Sequence, residues 1–125
     1  MAKKVSPGGK HIIADLYGCD LSQMSSKRNL EEMIKEATKK AKMDLVSLEI
    51  KKFGDEKFPG YSGFAFLLQS HISFHCWDEY SFCQIDIFTC GKKSKPEEAF
   101  KVILKYLKPK KTKKISLNRD FEGEI

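Results

Sequence analysis

Two stretches of this chain repeat their apolar residues at intervals of three and four, and the segments around them repeat them at intervals of two. That interleaving confines the chain to a sheet with helices packed on it. The first period-two segment, His11 to Tyr17, puts Ile12, Ala14 and Leu16 on one side. From about Asn29 to Lys42 the residues Leu30, Met33, Ile34, Ala37 and Ala41 form one apolar stripe, which predicts an amphipathic helix. Asn29 followed by Glu32 resembles a capping box, with Ser25 and Ser26 as rival starts. Val46, Leu48 and Ile50 alternate with polar neighbours in a strand that reaches about Phe53, and Gly54 to Gly60 reads as a loop.

The next run, Phe64 to Leu68, is almost continuously apolar and is expected to be a strand covered on both faces. His71 to Trp77 differs: Ile72, Phe74 and Cys76 share one face, and His71, Ser73 and His75 share the other. Phe82 to Cys90 reads as a further strand ended by Gly91. A second helix is expected from about Pro96, capped by Ser94, with Phe100, Ile103, Leu104 and Leu107 as its buried stripe. Ile115 and Leu117 mark a last short strand from Lys113 to Asn118. The order β-α-β-β-β-β-α-β predicts an α+β fold: a two-layer α/β sandwich, mostly antiparallel, with two helices on one face and the other left for function or a dimer partner.

At 125 residues the whole chain, 1–125, is read as one domain. With 41% hydrophobic and 32% charged residues, and no apolar run near the roughly 20 residues a bilayer crossing needs, neither a disordered nor a membrane-spanning class fits. Lys and Arg (23) exceed Asp and Glu (17), but seven lysines fall between Lys101 and Lys114. A solvated helix face and its following loop explain them, and no nucleic-acid partner is expected. The first nine residues lack the apolar core of a secretory signal, so a cytoplasmic location is expected. Cys19, Cys76, Cys83 and Cys90 form no CxxC pair, which argues against zinc and leaves buried packing as their default role. No metal is expected.

Chemistry concentrates in the segment Gln69 to Trp77, where Ser70, His71, Ser73 and His75 interrupt apolar strands. Taken alone, these residues are compatible with a nucleophile and base and equally with a satisfied polar strand face.

Several ungapped motifs go further: His11 to Asp20 (HIIADLYGCD), Ser70 to His75 (SHISFH), Trp77, Glu79 with Tyr80, and Ile85 to Gly91 (IDIFTCG). Together they resemble the short bacterial and archaeal S-adenosylmethionine decarboxylase proenzymes, over about residues 10 to 106. The resemblance implies self-cleavage between residues 69 and 70. The Ser70 hydroxyl would attack the Gln69 carbonyl, and elimination and hydrolysis would leave a pyruvoyl group at residue 70 as the cofactor. A strained peptide at the junction would favour the first step. His75 corresponds to the family's elimination histidine, near the new terminus, and Ser62 to its processing serine. The pyruvoyl group would condense with the substrate amine as a Schiff base, and Cys90 would return a proton to the substrate. Glu79 would hold the ribose hydroxyls, and Phe53, with Phe58 as competitor, would stack on adenine. The product would be the aminopropyl donor for spermidine, and a homodimer with active sites shared across its interface is implied.

Three positions depart from the family pattern. Gln69 stands where Glu is usual, Asp78 interrupts a Trp-Pro-Glu motif, and the loop before Ser62 is longer. They motivate two alternatives: a pyruvoyl-dependent arginine or ornithine decarboxylase on the same fold, and an uncleaved regulatory relative.

Overall fold

In the computed structural model, which describes residues 7–122, the chain runs β1 (Gly9–Tyr17), α1 (Leu21–Met24), α2 (Lys27–Lys40), β2 (Leu45–Phe53) and β3 (Gly60–Leu67). It continues through β4 (Ser70–Trp77), a 3-10 turn (Asp78–Tyr80), β5 (Phe82–Cys90), α3 (Pro96–Leu107) and β6 (Lys111–Asn118). The six strands form one sheet in the order β2-β3-β4-β5-β1-β6, and every neighbouring pair is antiparallel. This is the α+β sandwich expected from the alternating periods.

Period two sends alternate residues to opposite faces of the sheet. Ile12, Ala14, Leu16, Ala65, Leu67, Ile72, Phe74, Ile85 and Ile87 form a buried layer with the stripes of α2 (Leu30, Met33, Ile34, Ala37) and α3 (Phe100, Ile103, Leu107). Cys19, Cys76 and Cys83 belong to the same cluster, as packing residues do. No helix among the described residues is long and apolar enough to cross a membrane.

The structure corrects four local expectations. A third helix, α1, is only one turn long, too short for periodicity to reveal; the Asp20 carboxylate caps it by accepting from the Ser22 amide at 2.9 Å. The second helix starts earlier than Asn29, because the Ser26 hydroxyl accepts from the Asn29 amide at 3.2 Å and so takes the cap. Ser94 does not cap α3: its hydroxyl donates to the Cys90 carbonyl at 2.9 Å, and Pro96 opens the helix behind Lys95. Finally, the apolar run of β3 is covered on one face only. Ala65 and Leu67 are buried, whereas Phe64 and Phe66 are 45% and 55% exposed, because all three helices pack on the other side.

Candidate active site

Two residues, Leu68 and Gln69, connect β3 to β4, since Leu67 and Ser70 are already paired across the hairpin. A turn this tight forces Gln69 to φ +62°. A non-glycine residue in the left-handed region stores on the order of 1–3 kcal/mol. The strain therefore sits on the residue whose carbonyl precedes Ser70. Ser70 itself is buried, and its hydroxyl accepts from the Cys90 amide on β5 at 3.0 Å. Burial pushes the Cys90 thiol above its usual range, against the opposing effects of the Ser70 hydroxyl and the Arg119 charge. Gln69, Ser70, His71, Phe64, Phe88 and Arg119 line a cavity of about 330 Å³. A larger cleft, about 440 Å³, lies between residues 7–10 and the Gly91 to Ser94 loop, but brings no histidine, cysteine or glutamate.

Ser62 and His75 face each other across β3 and β4, and Ser62 Oγ lies 2.7 Å from His75 Nδ1. They do not join Ser70 within one chain. His75 is five residues along β4, and at ~3.4 Å per residue that is roughly 17 Å. The expectation that His75 sits near the new terminus is therefore not met inside a single copy.

Glu79 and Phe53 do come together, in a cavity of about 240 Å³ at the far end of β4, lined also by Phe58, Trp77, Asp78 and Tyr80. The rings of Phe53 and Trp77 lie 5.0 Å apart at 66°. Gly60, the cross-strand partner of Phe53, makes this possible: a Cβ there would lie 2.4 Å from Phe53 Cζ and 2.3 Å from the Cys76 carbonyl oxygen. Glu79 is exposed, placed by the 3-10 turn, whereas the neighbouring Asp78 carboxyl is pushed up by burial and its Oδ1 has no partner. Phe58 lines the same cavity, so the structure leaves both rings available to a ligand.

His11, Asp86 and Arg119, to which the sequence assigns no role, meet His71 on the open face of the sheet. His11 and Asp86 are polar residues opposite the apolar faces of β1 and β5, and only the sheet register brings them to His71, whereas Arg119, just past β6, reaches them through its side chain.

Fold and site define a small α+β sandwich with one open sheet face and a cavity at a strained serine junction. Residues 10–120 match the family model of S-adenosylmethionine decarboxylase. The S-adenosylmethionine decarboxylase proenzyme of Methanococcus maripaludis is 37% identical over 119 residues, 94% of this chain and 95% of that one. The proenzyme of the same description from Pyrobaculum islandicum is 43% identical over 103 residues, 82% of this chain and 81% of that one. The crystal structure of the adenosylmethionine decarboxylase of Aquifex aeolicus superposes with a TM-score of 0.84 at 32% identity, covering 96% of this chain and 97% of that one. The chain belongs to the S-adenosylmethionine decarboxylase family.

Proposed function

We propose that this chain is a self-processing, pyruvoyl-dependent decarboxylase of S-adenosylmethionine, supplying the aminopropyl donor for spermidine. The observation that carries the reading is the Gln69–Ser70 junction, where a left-handed residue precedes a serine whose hydroxyl is held in place by the Cys90 amide. In maturation, Ser70 Oγ attacks the Gln69 carbonyl carbon; the C–O ester bond forms, the C–N bond breaks, and the hydroxyl proton passes to the departing nitrogen. Removal of the Ser70 α-proton then expels the Gln69 carboxylate from Cβ, and hydrolysis of the resulting dehydroalanine releases ammonia.

The residues present fit a pyruvoyl group at position 70. The head of β4 opens into a cavity, and a protonated thiol lies on the adjacent strand. Such a group supplies a carbonyl that accepts the electron pair left when carbon dioxide departs. Cys90, its thiol kept protonated by burial, returns a proton to the substrate α-carbon. Glu79 accepts from the ribose hydroxyls, and Phe53 offers its ring to adenine.

We further propose a symmetric dimer formed through the open sheet face, because the assigned groups are too far apart to meet in one chain. Ile13, Phe64, Phe66, Ile115 and Leu117 are exposed on that face, an apolar surface of the kind that marks an interface. A second copy laid across it antiparallel would bring its Ser62 and His75 to the first copy's Ser70.

Intact mass and denaturing electrophoresis, with carbon dioxide release from carboxyl-labelled S-adenosylmethionine, arginine and ornithine, test the reading. Two fragments divided after residue 69 and release from S-adenosylmethionine are expected, with Ser70→Ala remaining one inactive chain. A full-length wild-type product, or release from an amino acid alone, would overturn it.

A further inference from the structure

We infer that Arg119, His11 and Asp86 form a positioning relay that holds His71, and through it the residue-70 terminus, once the chain has been cut; the inference rests on the self-processing just proposed. His11, Phe88 and His71 lie in one row across β1, β5 and β4. Arg119 Nη1 lies 3.2 Å from His11 Nδ1, and a guanidinium can only donate, so Nδ1 accepts and the ring proton sits on Nε2. That Nε2–H donates to Asp86 Oδ1. The same carboxylate oxygen lies 3.7 Å from His71 Nε2, a charge contact longer than a hydrogen bond. The His71 ring is fixed from other sides as well: it stacks on Phe64 at 5.6 Å and 16°, and packs against Phe88 at 5.7 Å. Arg119 completes the assembly by lying over the Phe88 ring at 4.9 Å.

His11, His71 and Asp86 each bring one ligand atom within 4.8 Å of the others, a spacing that a divalent metal ion could use. The proton on His11 Nε2 favours the relay instead, because a protonated nitrogen has no lone pair for a metal.

Before cleavage, Ser70 is held by its peptide bond to Gln69 and by the hydrogen bond from Cys90 to its hydroxyl. Maturation removes both, because the peptide bond is broken and Oγ leaves with the Gln69 carboxylate. The new end of β4 is then a strand terminus, and such ends fray unless tied down. Residue 70 then keeps only its backbone pairing with Leu67 at the open end of the sheet, and residue 71 is the first of β4 that pairs with β5, so the anchors of His71 are the nearest side-chain hold on the residue-70 carbonyl.

The test uses the cleaved enzyme with Asp86→Asn, Arg119→Gln and His71→Gln, reading kcat and KM for S-adenosylmethionine and hydrogen exchange of residues 70–74 by mass spectrometry. Asp86→Asn is expected to cleave to the same extent, to keep KM within about twofold and to lose on the order of tenfold to a hundredfold in kcat, the usual cost of a small misplacement of a reacting group. Exchange at residues 70–74 should rise in the cleaved variant and not in the same variant carrying Ser70→Ala. Arg119→Gln, at the exposed end of the relay, should give the same pattern more weakly even if Asp86→Asn folds poorly, and Arg119→Lys should restore part of it. Unchanged kcat and exchange, or equal rises in cut and uncut proteins, would overturn the relay while leaving the decarboxylase reading intact. Tight Zn²⁺ binding abolished by His11→Gln would overturn the tautomer on which the relay depends. An uncut wild-type chain would remove both proposals.

Discussion

At the scale of single residues, the junction stores its strain in one backbone angle. Gln69 sits at φ +62°, a region glycine adopts without steric cost. Gln69→Gly should therefore fold at least as stably and cleave more slowly, by roughly tenfold for each ~1.4 kcal/mol of strain relieved, measured as the rate at which full-length chain disappears. Unchanged or faster cleavage would show that strain does not drive the step. Cys90 gives a pH signature. Burial raises its thiol, and the Ser70 hydroxyl that opposes the rise is lost on maturation, so the mature thiol should lie higher still. A proton donor works only while protonated, so kcat should hold through the ordinary thiol range and fall only above it. An alkaline limb below that range would remove Cys90 from proton return.

At the scale of elements, β4 is a ruler. Its head carries Ser70, its middle His75, and its far end leads through the 3-10 turn to Glu79. Period two made the histidine face legible, because His71, Ser73 and His75 had to share one side. Length along the strand, which period two does not encode, separates His75 from Ser70. The pocket at the far end depends on a residue that carries no chemistry. Gly60→Ala would drive a methyl into the Phe53 ring and the Cys76 carbonyl. Raised KM for S-adenosylmethionine with unchanged self-cleavage is expected, and unchanged KM would detach Phe53 from substrate binding.

At the scale of the whole molecule, all three helices pack on one side of the sheet and leave its other face bare. The half-exposed Phe64 and Phe66 and the separation of the assigned groups are the two observations behind the proposed dimer. Phe66→Lys, which places a charge on that face without touching the helical core, should give a monomer by light scattering and slow self-cleavage by at least tenfold. A dimer that persists with normal cleavage would move the interface elsewhere. Prediction and structure part company over β3 for the same reason: a continuous apolar run reads alike whether its second face meets a helix, a partner or water.

What the sequence determined by itself was local and periodic: which segments are strands, which are helices, which side of each strand is apolar, and, through ungapped motifs, the family. Those properties follow from the two repeat lengths of the backbone and from residue spacing, neither of which needs a partner element. The tertiary structure alone decided that Gln69 is strained, that Phe53 and Glu79 share a cavity, that Ser62 and His75 stand apart from Ser70, and that Arg119 reaches His11 from 108 positions away. Each of these depends on strand order and register, which set distances between residues remote in the chain and which no local pattern encodes.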